Sequence, residues 1–197
     1  GIYYLIVGIT GFLPIKDKNK KISDKTHKFA LIISAHNEEV VIGNMVESLK
    51  QLDYPDDAYD IFVIADNCTD NTAQIARDCG AIVHERFNDK ERGKGFAMEW
   101  MFARLFEMKR KYDAVAIFDA DNLVDKRFLL EMNNRLCKGD KLVQGYLDAK
   151  NPYDTWVSGT FAIAFWVIDH IWHLAKTNIG LSSVLGGTGM CITTDVL

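Results

Sequence analysis

Short apolar runs that end on polar, carboxylate-bearing residues recur along this chain, each separated from the next by a stretch with helical spacing. Residues 29–34 read as a buried strand, and residues 60–65, centred on Ile61-Phe62-Val63-Ile64, read as a second. Residues 81–84 make a short third strand, residues 114–118 a fourth, and residues 142–145 begin another. Between them, residues 38–52 carry Val41, Ile42, Met45, Val46 and Leu49 at the spacing of one helix face. Residues 69–79 read as a helix closed by Gly80, residues 93–112 as a long helix, and residues 126–136 as another. The long helix carries Phe96, Met101, Phe102, Leu105, Phe106 and Met108, a stripe read as core filling. This strand–helix alternation predicts an α/β fold with a mostly parallel sheet flanked by helices.

The strand ends carry the chemistry. The fourth strand runs into Asp119-Ala120-Asp121-Asn122. If strand geometry persists, positions i and i+2 share a face and both carboxylates project together. In open α/β sheets ligands bind outside the carboxyl ends of the strands. Two carboxylates there suit Mg²⁺ or Mn²⁺ carrying a diphosphate; the alternative is a loop in which one aspartate caps the next helix. Strand one ends at Ser34-Ala35-His36-Asn37-Glu38-Glu39 and strand two at Asp66-Asn67-Cys68-Thr69-Asp70, at the same edge. Asp66 is placed to accept a nucleobase N–H, although Asp66 and Thr69 could also be helix caps, and His36 reads as a satisfied loop histidine. Arg92-Gly93-Lys94-Gly95 precedes the long helix, where free N–H groups favour an anion and Lys94 adds charge toward a phosphate. No GxGxxG follows strand one, which argues against a dinucleotide-binding oxidoreductase.

The chain has 197 residues, room for one substantial α/β domain, and a net charge of −4 with no basic arm, so no nucleic-acid partner is expected. Its four cysteines, Cys68, Cys79, Cys137 and Cys191, form neither a CxxC pair nor a metal-ligand spacing, and reduced thiols are expected. The first fifteen residues are apolar but short of the roughly 20 needed to span a bilayer. Lys16, Lys18, Lys20 and Lys21 follow at once, which favours the cytoplasmic side of a membrane; the alternative is a solvated linker after an ordinary core helix. Residues 156–176 form a helix apolar on several faces, suited to lipid, to membrane helices, or to burial under a further segment. Residues 193–197 resemble the start of an element. The expectation is a piece of a longer membrane protein, with residues 1–28 a membrane-proximal segment and linker and residues 29–197 an incomplete catalytic domain.

Together, Ala35-His36-Asn37-Glu38, Asp66-Asn67-Cys68-Thr69-Asp70, Arg92-Gly93-Lys94-Gly95, the Asp119/Asp121 pair and Gly186-Gly187-Thr188-Gly189-Met190 resemble the family 2 glycosyltransferases, which have the GT-A nucleotide-sugar fold. Val143-Gln144-Gly145-Tyr146, Lys150-Asn151-Pro152 and the Gly-rich closing motif are similar to the membrane-bound, exopolysaccharide-synthesis branch that includes cellulose-synthase relatives. The resemblance implies an inverting, metal-dependent transfer of a hexose from a UDP-sugar to a polysaccharide or lipid-linked acceptor, with Mg²⁺ or Mn²⁺ as cofactor and the domain on the cytoplasmic face of the cell membrane. It implies that Ala35, through its backbone, Glu38, Asp66, Lys94 and Asp119 bind the donor nucleotide, with Asp66 on uracil and Lys94 near the base or ribose. It implies that Asp121, with Asp119, holds the metal, and that Gln144, Gly187, Thr188 and Gly189 shape the acceptor side. The family's catalytic-base triplet and Gln-x-x-Arg-Trp motif do not occur before Leu197. The base is therefore expected beyond it, and this C-terminally truncated GT-A domain is expected to turn over little alone. A sugar-nucleotide-forming nucleotidyltransferase would need an Arg-bearing Gly-rich loop after strand one, which is not found. A nucleotide-binding scaffold or regulatory domain of a membrane polysaccharide-synthesis complex is the non-enzyme alternative.

Overall fold

The computed structural model describes residues 2–11, 25–182 and 184–197. Two compact units emerge, one from Ser23–Val143 with Gly187–Leu197, the other from Gly1–Ile22 with Gln144–Gly186.

The larger unit is built on β1 (Phe29–Ala35), β2 (Tyr59–Asp66), β3 (Ile82–Arg86), β4 (Ala114–Asp119), Leu142 and Val143 of β5 (Leu142–Gln144), and β6 (Met190–Thr193). Its sheet runs β3-β2-β1-β4-β6-β5. β1 pairs in parallel with both β2 and β4, β2 pairs in parallel with β3, and β6 alone runs antiparallel to β4. Apolar runs as continuous as Phe29–Ile33 demand cover on both faces. Phe29, Leu31 and Ile33 pack with Ile42, Met45 and Leu49 of α2 (Ile42–Leu49), Ala76 of α3 (Thr72–Asp78) and Leu129. Ala30 and Ile32 face Ala97, Met101 and Leu105 from the helix on the other side.

That helix, α4 (Lys94–Glu107), stops five residues short of the expected end, because Met108 turns extended. Its stripe is only partly core. Met101 and Leu105 are buried, but Phe96 and Phe106 are 47% and 46% exposed. Each lies five residues from Met101, about 140° round the helix and off the sheet-facing side. α2 also begins later than its periodicity predicts: residues 38–41 form turns, with Val41 N and Ile42 N both donating to Glu38 O. Gly80 takes φ +93 after α3, the left-handed closure expected of it. The last helix of this unit is α5 (Phe128–Cys137).

The register aligns the strand ends. Ala35 sits opposite Ala65, Ser34 opposite Asp119, and Asp66 opposite Arg86. The chain leaves β1 toward β2 and β3, then returns to β4 on the other flank of β1. The strand order therefore reverses between β1 and β4, where open sheets of this kind leave a crevice at the carboxyl edge.

The smaller unit is helical. α1 (Ile2–Gly11) packs against a π-helical segment (Ile168–Leu174) and α7 (Ala175–Asn178), and α6 (Trp156–Val167) leads into that segment. Thr10 Oγ1 donates to Ala175 O, and Asn178 Nδ2 donates to Thr10 O at 3.0 Å. Thr155 and Ser158 cap the start of α6 reciprocally. Asp169, almost buried, accepts Leu147 N at 3.1 Å and lies 3.2 Å from His173 Nδ1. No residue of α6 is buried, and Trp156 is 83% exposed. Among the described residues no helix is long and apolar enough to cross a membrane. Phe12 to Ile15 and the lysines at 16, 18, 20 and 21 lie outside the described residues.

Candidate active site

At the ends of β1 and β2 the chain turns through a left-handed asparagine, Asn37 at φ +56 and Asn67 at φ +52. Asparagine tolerates this conformation because its short amide bonds locally. Asn37 Oδ1 accepts Thr69 N at 2.8 Å, and Asn67 Oδ1 accepts Asn88 N at 2.8 Å. The β1–α2 loop is stitched to the start of α3. Glu38 N donates to Thr72 Oγ1 at 2.7 Å, Glu39 N to Asp70 Oδ2, and Asn71 N to Glu39 Oε2. Asp70 also accepts Thr72 N and Oγ1. Burial raises its pKa, but these hydrogen bonds outweigh burial and hold it below the ordinary carboxyl value. The half-buried Glu38 carboxylate is left without a hydrogen-bond donor among the described residues. His36 Nδ1 lies 2.7 Å from Asp66 O, the satisfied loop histidine expected. Ala35 is buried, and its carbonyl already takes the Cys68 thiol at 3.5 Å.

Asp66 is 5% exposed and its register partner Arg86 is 3% exposed. Arg86 Nη1 meets Asp66 Oδ1 at 2.7 Å, and Asn67 Nδ2 donates to the same oxygen at 3.2 Å. Oδ2 has no donor among the described residues. Arg86 Nη2 donates to Glu91 O at 2.7 Å, holding the loop that leads to α4. Its Nε is buried without a partner. Sequence reading missed Arg86. The available signal was its place on the neighbouring strand, level with the aspartate that ends β2.

β4 ends at Asp119, and a turn replaces continued strand, so the alternation expected to carry Asp121 onto the same face does not persist. Asn122 N closes the turn on Asp119 O at 3.3 Å, Ala120 points inward, and Asp121 is exposed. Lys94 is the first residue of α4, after Gly93 at φ +104. Its Nζ lies 2.5 Å from Asp119 Oδ1 and 2.7 Å from Gly187 O. The first helical bond of α4 is Ala97 N to Gly93 O, so the N–H groups of Lys94, Gly95 and Phe96 point out as an anion-favouring end. Thr188 Oγ1 accepts Asp119 N at 2.9 Å and donates to Asn122 Oδ1. Gly187 and Gly189 flank Thr188 at φ +83 and +60.

The structure thus brings Asp119, Lys94, Gly187 and Thr188 into direct contact, and sets Asp66 one residue beyond the Ala35–Ala65 pair at the same sheet edge. Gln144 belongs to the helical unit, where its Oε1 accepts Gly186 N at 2.7 Å. Among the described residues no three His, Cys, Asp or Glu side chains cluster as a self-sufficient metal cage. Mg²⁺-type ions keep several waters and take one or two carboxylates together with substrate phosphate. Asp119 already holds a positive charge in the Lys94 ammonium, and Asp121 stands two residues on. These residues fit a cation that arrives with a diphosphate.

A family model described as "Glycosyltransferase like family 2" matches residues 27–197. The chain is 31% identical over 136 residues to Protein RfbJ of Shigella flexneri, covering 68% of this chain and 97% of RfbJ. It is 35% identical over 104 residues to the beta-monoglucosyldiacylglycerol synthase of Synechocystis, a match covering 50% of this chain but 21% of the synthase. Thus the chain spans about a fifth of that relative's length. Among solved structures, the mannosyltransferase PcManGT of Pyrobaculum calidifontis, in complex with GDP-Man and Mn²⁺, superposes with a TM-score of 0.71 at 17% identity, covering 100% of this chain and 52% of that one. The glucosyl-3-phosphoglycerate synthase of Mycobacterium tuberculosis, in complex with Mn²⁺, UDP and phosphoglyceric acid, gives 0.55 at 18% identity, covering 87% and 57%. At these identities the likeness is one of fold.

Proposed function

This chain belongs to glycosyltransferase family 2 and has the GT-A fold, and from that premise we propose that it binds a UDP-sugar for inverting transfer of a hexose to a polysaccharide or lipid-linked acceptor. The observation that carries the reading is the Asp119–Lys94 pair at the N-terminus of α4, on the sheet edge that also bears the buried Asp66. Asp66 would take the base. With Oδ1 committed to Arg86 and Asn67, only Oδ2 is left. One acceptor oxygen suits the single ring N–H of uracil better than the paired N–H donors of guanine, which supports a uridine donor. Lys94 and the free N–H groups of α4 would hold the diphosphate. Asp119 and Asp121 would hold Mg²⁺ or Mn²⁺, which supplies stabilisation of charge on the leaving diphosphate. Glu38 and the Ala35 backbone would line the nucleoside, and Gly187, Thr188 and Gly189 the acceptor side.

The exposed aromatic and aliphatic surface of α6, with Trp156, Phe161 and Trp166, supports attachment to a membrane. With Lys16, Lys18, Lys20 and Lys21 close to α1 in sequence, the cytoplasmic face is the side proposed. The deciding experiment is calorimetric titration of UDP, with and without Mn²⁺, into this chain and into Asp121→Ala. Metal-dependent binding that the variant loses is the expected result. Metal-independent binding, or none by a chain shown to be folded, would overturn the donor-site assignment and favour a scaffold domain.

A further inference from the structure

The Lys94 ammonium bridges two groups far apart in sequence, the Asp119 carboxylate at 2.5 Å and the Gly187 carbonyl at 2.7 Å. It ties the end of β4 to the turn before β6. That turn has a second tie, because Thr188 bonds Asp119 N and Asn122 Oδ1. On either side of Thr188 stand Gly187 and Gly189, both left-handed. A Cβ at Gly187 would meet nothing within 4 Å, so this glycine supplies backbone rotation rather than space. The turn is therefore pinned at Thr188, flanked by two left-handed glycines, and held on its Gly187 side by Lys94.

Asp119 Oδ1 is held by the Lys94 ammonium, and a divalent cation arriving with a diphosphate would compete for both members of that pair. We infer that Lys94 is a positioning residue that couples donor binding to the Gly187–Gly189 turn: without donor it bridges Asp119 and Gly187, and when a divalent cation and diphosphate occupy the site it leaves Asp119 for the phosphate and lets go of Gly187. The inference rests on the donor-site reading above. It assigns an order to the reaction, because the turn on the proposed acceptor side is freed only after the donor has bound. Thr188 keeps its hold on β4 throughout, so the turn pivots and the strand behind it stays paired.

The test is hydrogen exchange across residues 186–193, with free Mn²⁺ followed by electron paramagnetic resonance, on the 197-residue chain and on Lys94→Met and Lys94→Arg. In the unmodified chain, saturating Mn²⁺ and UDP should speed exchange at the turn by about tenfold, the loss of one charge-assisted hydrogen bond discounted for partial exposure. In Lys94→Met the turn should exchange fast from the outset and respond little to ligand. That variant should also bind Mn²⁺ alone more tightly than the unmodified chain while binding Mn²⁺ with UDP more weakly. Lys94→Arg should restore part of the turn's protection. Continued protection of β1 and β4 amides certifies the fold of each variant, and the unmodified chain decides the matter by itself if a variant does not fold. Binding of Mn²⁺ and UDP with no change at the turn would overturn the coupling alone. Failure to bind them at all would overturn the donor-site reading and the coupling with it.

Discussion

Replacing Arg86 by Met leaves the Asp66 carboxylate buried beside an apolar side chain. Arg86 and Asp66 are 3% and 5% exposed and meet at 2.7 Å, so little water is at hand to replace the lost partner of Oδ1. Removing one member of a buried pair costs about 3–5 kcal/mol. The contact from Arg86 Nη2 to Glu91 O disappears as well, adding about 1 kcal/mol. At about 2–4 °C per kcal/mol for a domain of this size, the melting temperature should fall by roughly 8–24 °C. Exchanging both partners, Arg86→Met with Asp66→Leu, removes the stranded charge together with its mate. An apolar pair of similar volume is often neutral or better, so the double variant should recover all but the Glu91 contact, about 1 kcal/mol. Urea unfolding of the four proteins measures the coupling directly. Additive losses, or a cost below about 1 kcal/mol for Arg86→Met, would show that Asp66 is solvated and that the buried-pair reasoning is wrong.

Two further outcomes follow from titratable groups away from the donor contacts. Asp70 has a depressed pKa: burial raises it, but the hydrogen bonds from Thr72 and Glu39 prevail. Its contribution is present above the ordinary carboxyl value of 3.8 and is lost as pH falls through the lower folded value. Asp70→Asn should therefore flatten the acid limb of a stability–pH curve measured by urea melts, and an unchanged limb would refute the assignment. Cys191 is fully buried on β6, and burial pushes its thiol up to about 12. In native protein at pH 8 it should alkylate at least about a thousandfold more slowly than in urea, since reaction awaits opening of a domain stable by about 5 kcal/mol or more. Peptide mass mapping reads this out, and labelling of Cys191 as fast as the half-buried Cys68 would contradict the packing.

The sheet was legible because burial on both faces leaves a strong imprint: Phe29 to Ile33 and Ala114 to Phe118 have no polar interruption. Once those strands run parallel, their ends must share an edge, and that brought the Asp66 and Asp119 loops together before any coordinates. The contacts that give the site its character are of another kind. Arg86 reaches Asp66 across 20 positions and Lys94 reaches Gly187 across 93. Such pairings depend on strand register and on where a turn lies, and a linear pattern carries neither. Phe96 and Phe106 show a related limit. Apolar identity suggested core, whereas their angle round α4 turns them outward. The end of β4 was left open between continued strand and loop, and the structure decides it locally: Asn122, bonded to Asp119 and Thr188, stabilises a turn.

The reversed direction of β6 has a consequence for how the molecule is assembled as it is made. The parallel strands contribute their trailing ends to the shared edge, so each loop emerges after its strand. β6 contributes its leading end, and Gly187 to Gly189 arrive just ahead of it. A nascent chain can gather β1 to β4 and both helical layers over them while Lys94 and Asp119 still lack their carbonyl and hydroxyl partners from this turn. Those contacts form only when β6 inserts beside β4, between it and β5. Completion of this part of the edge thus waits for β6, and a ribosome-stalled chain ending before residue 187 should hold β1 to β4 folded with an open, unlatched rim.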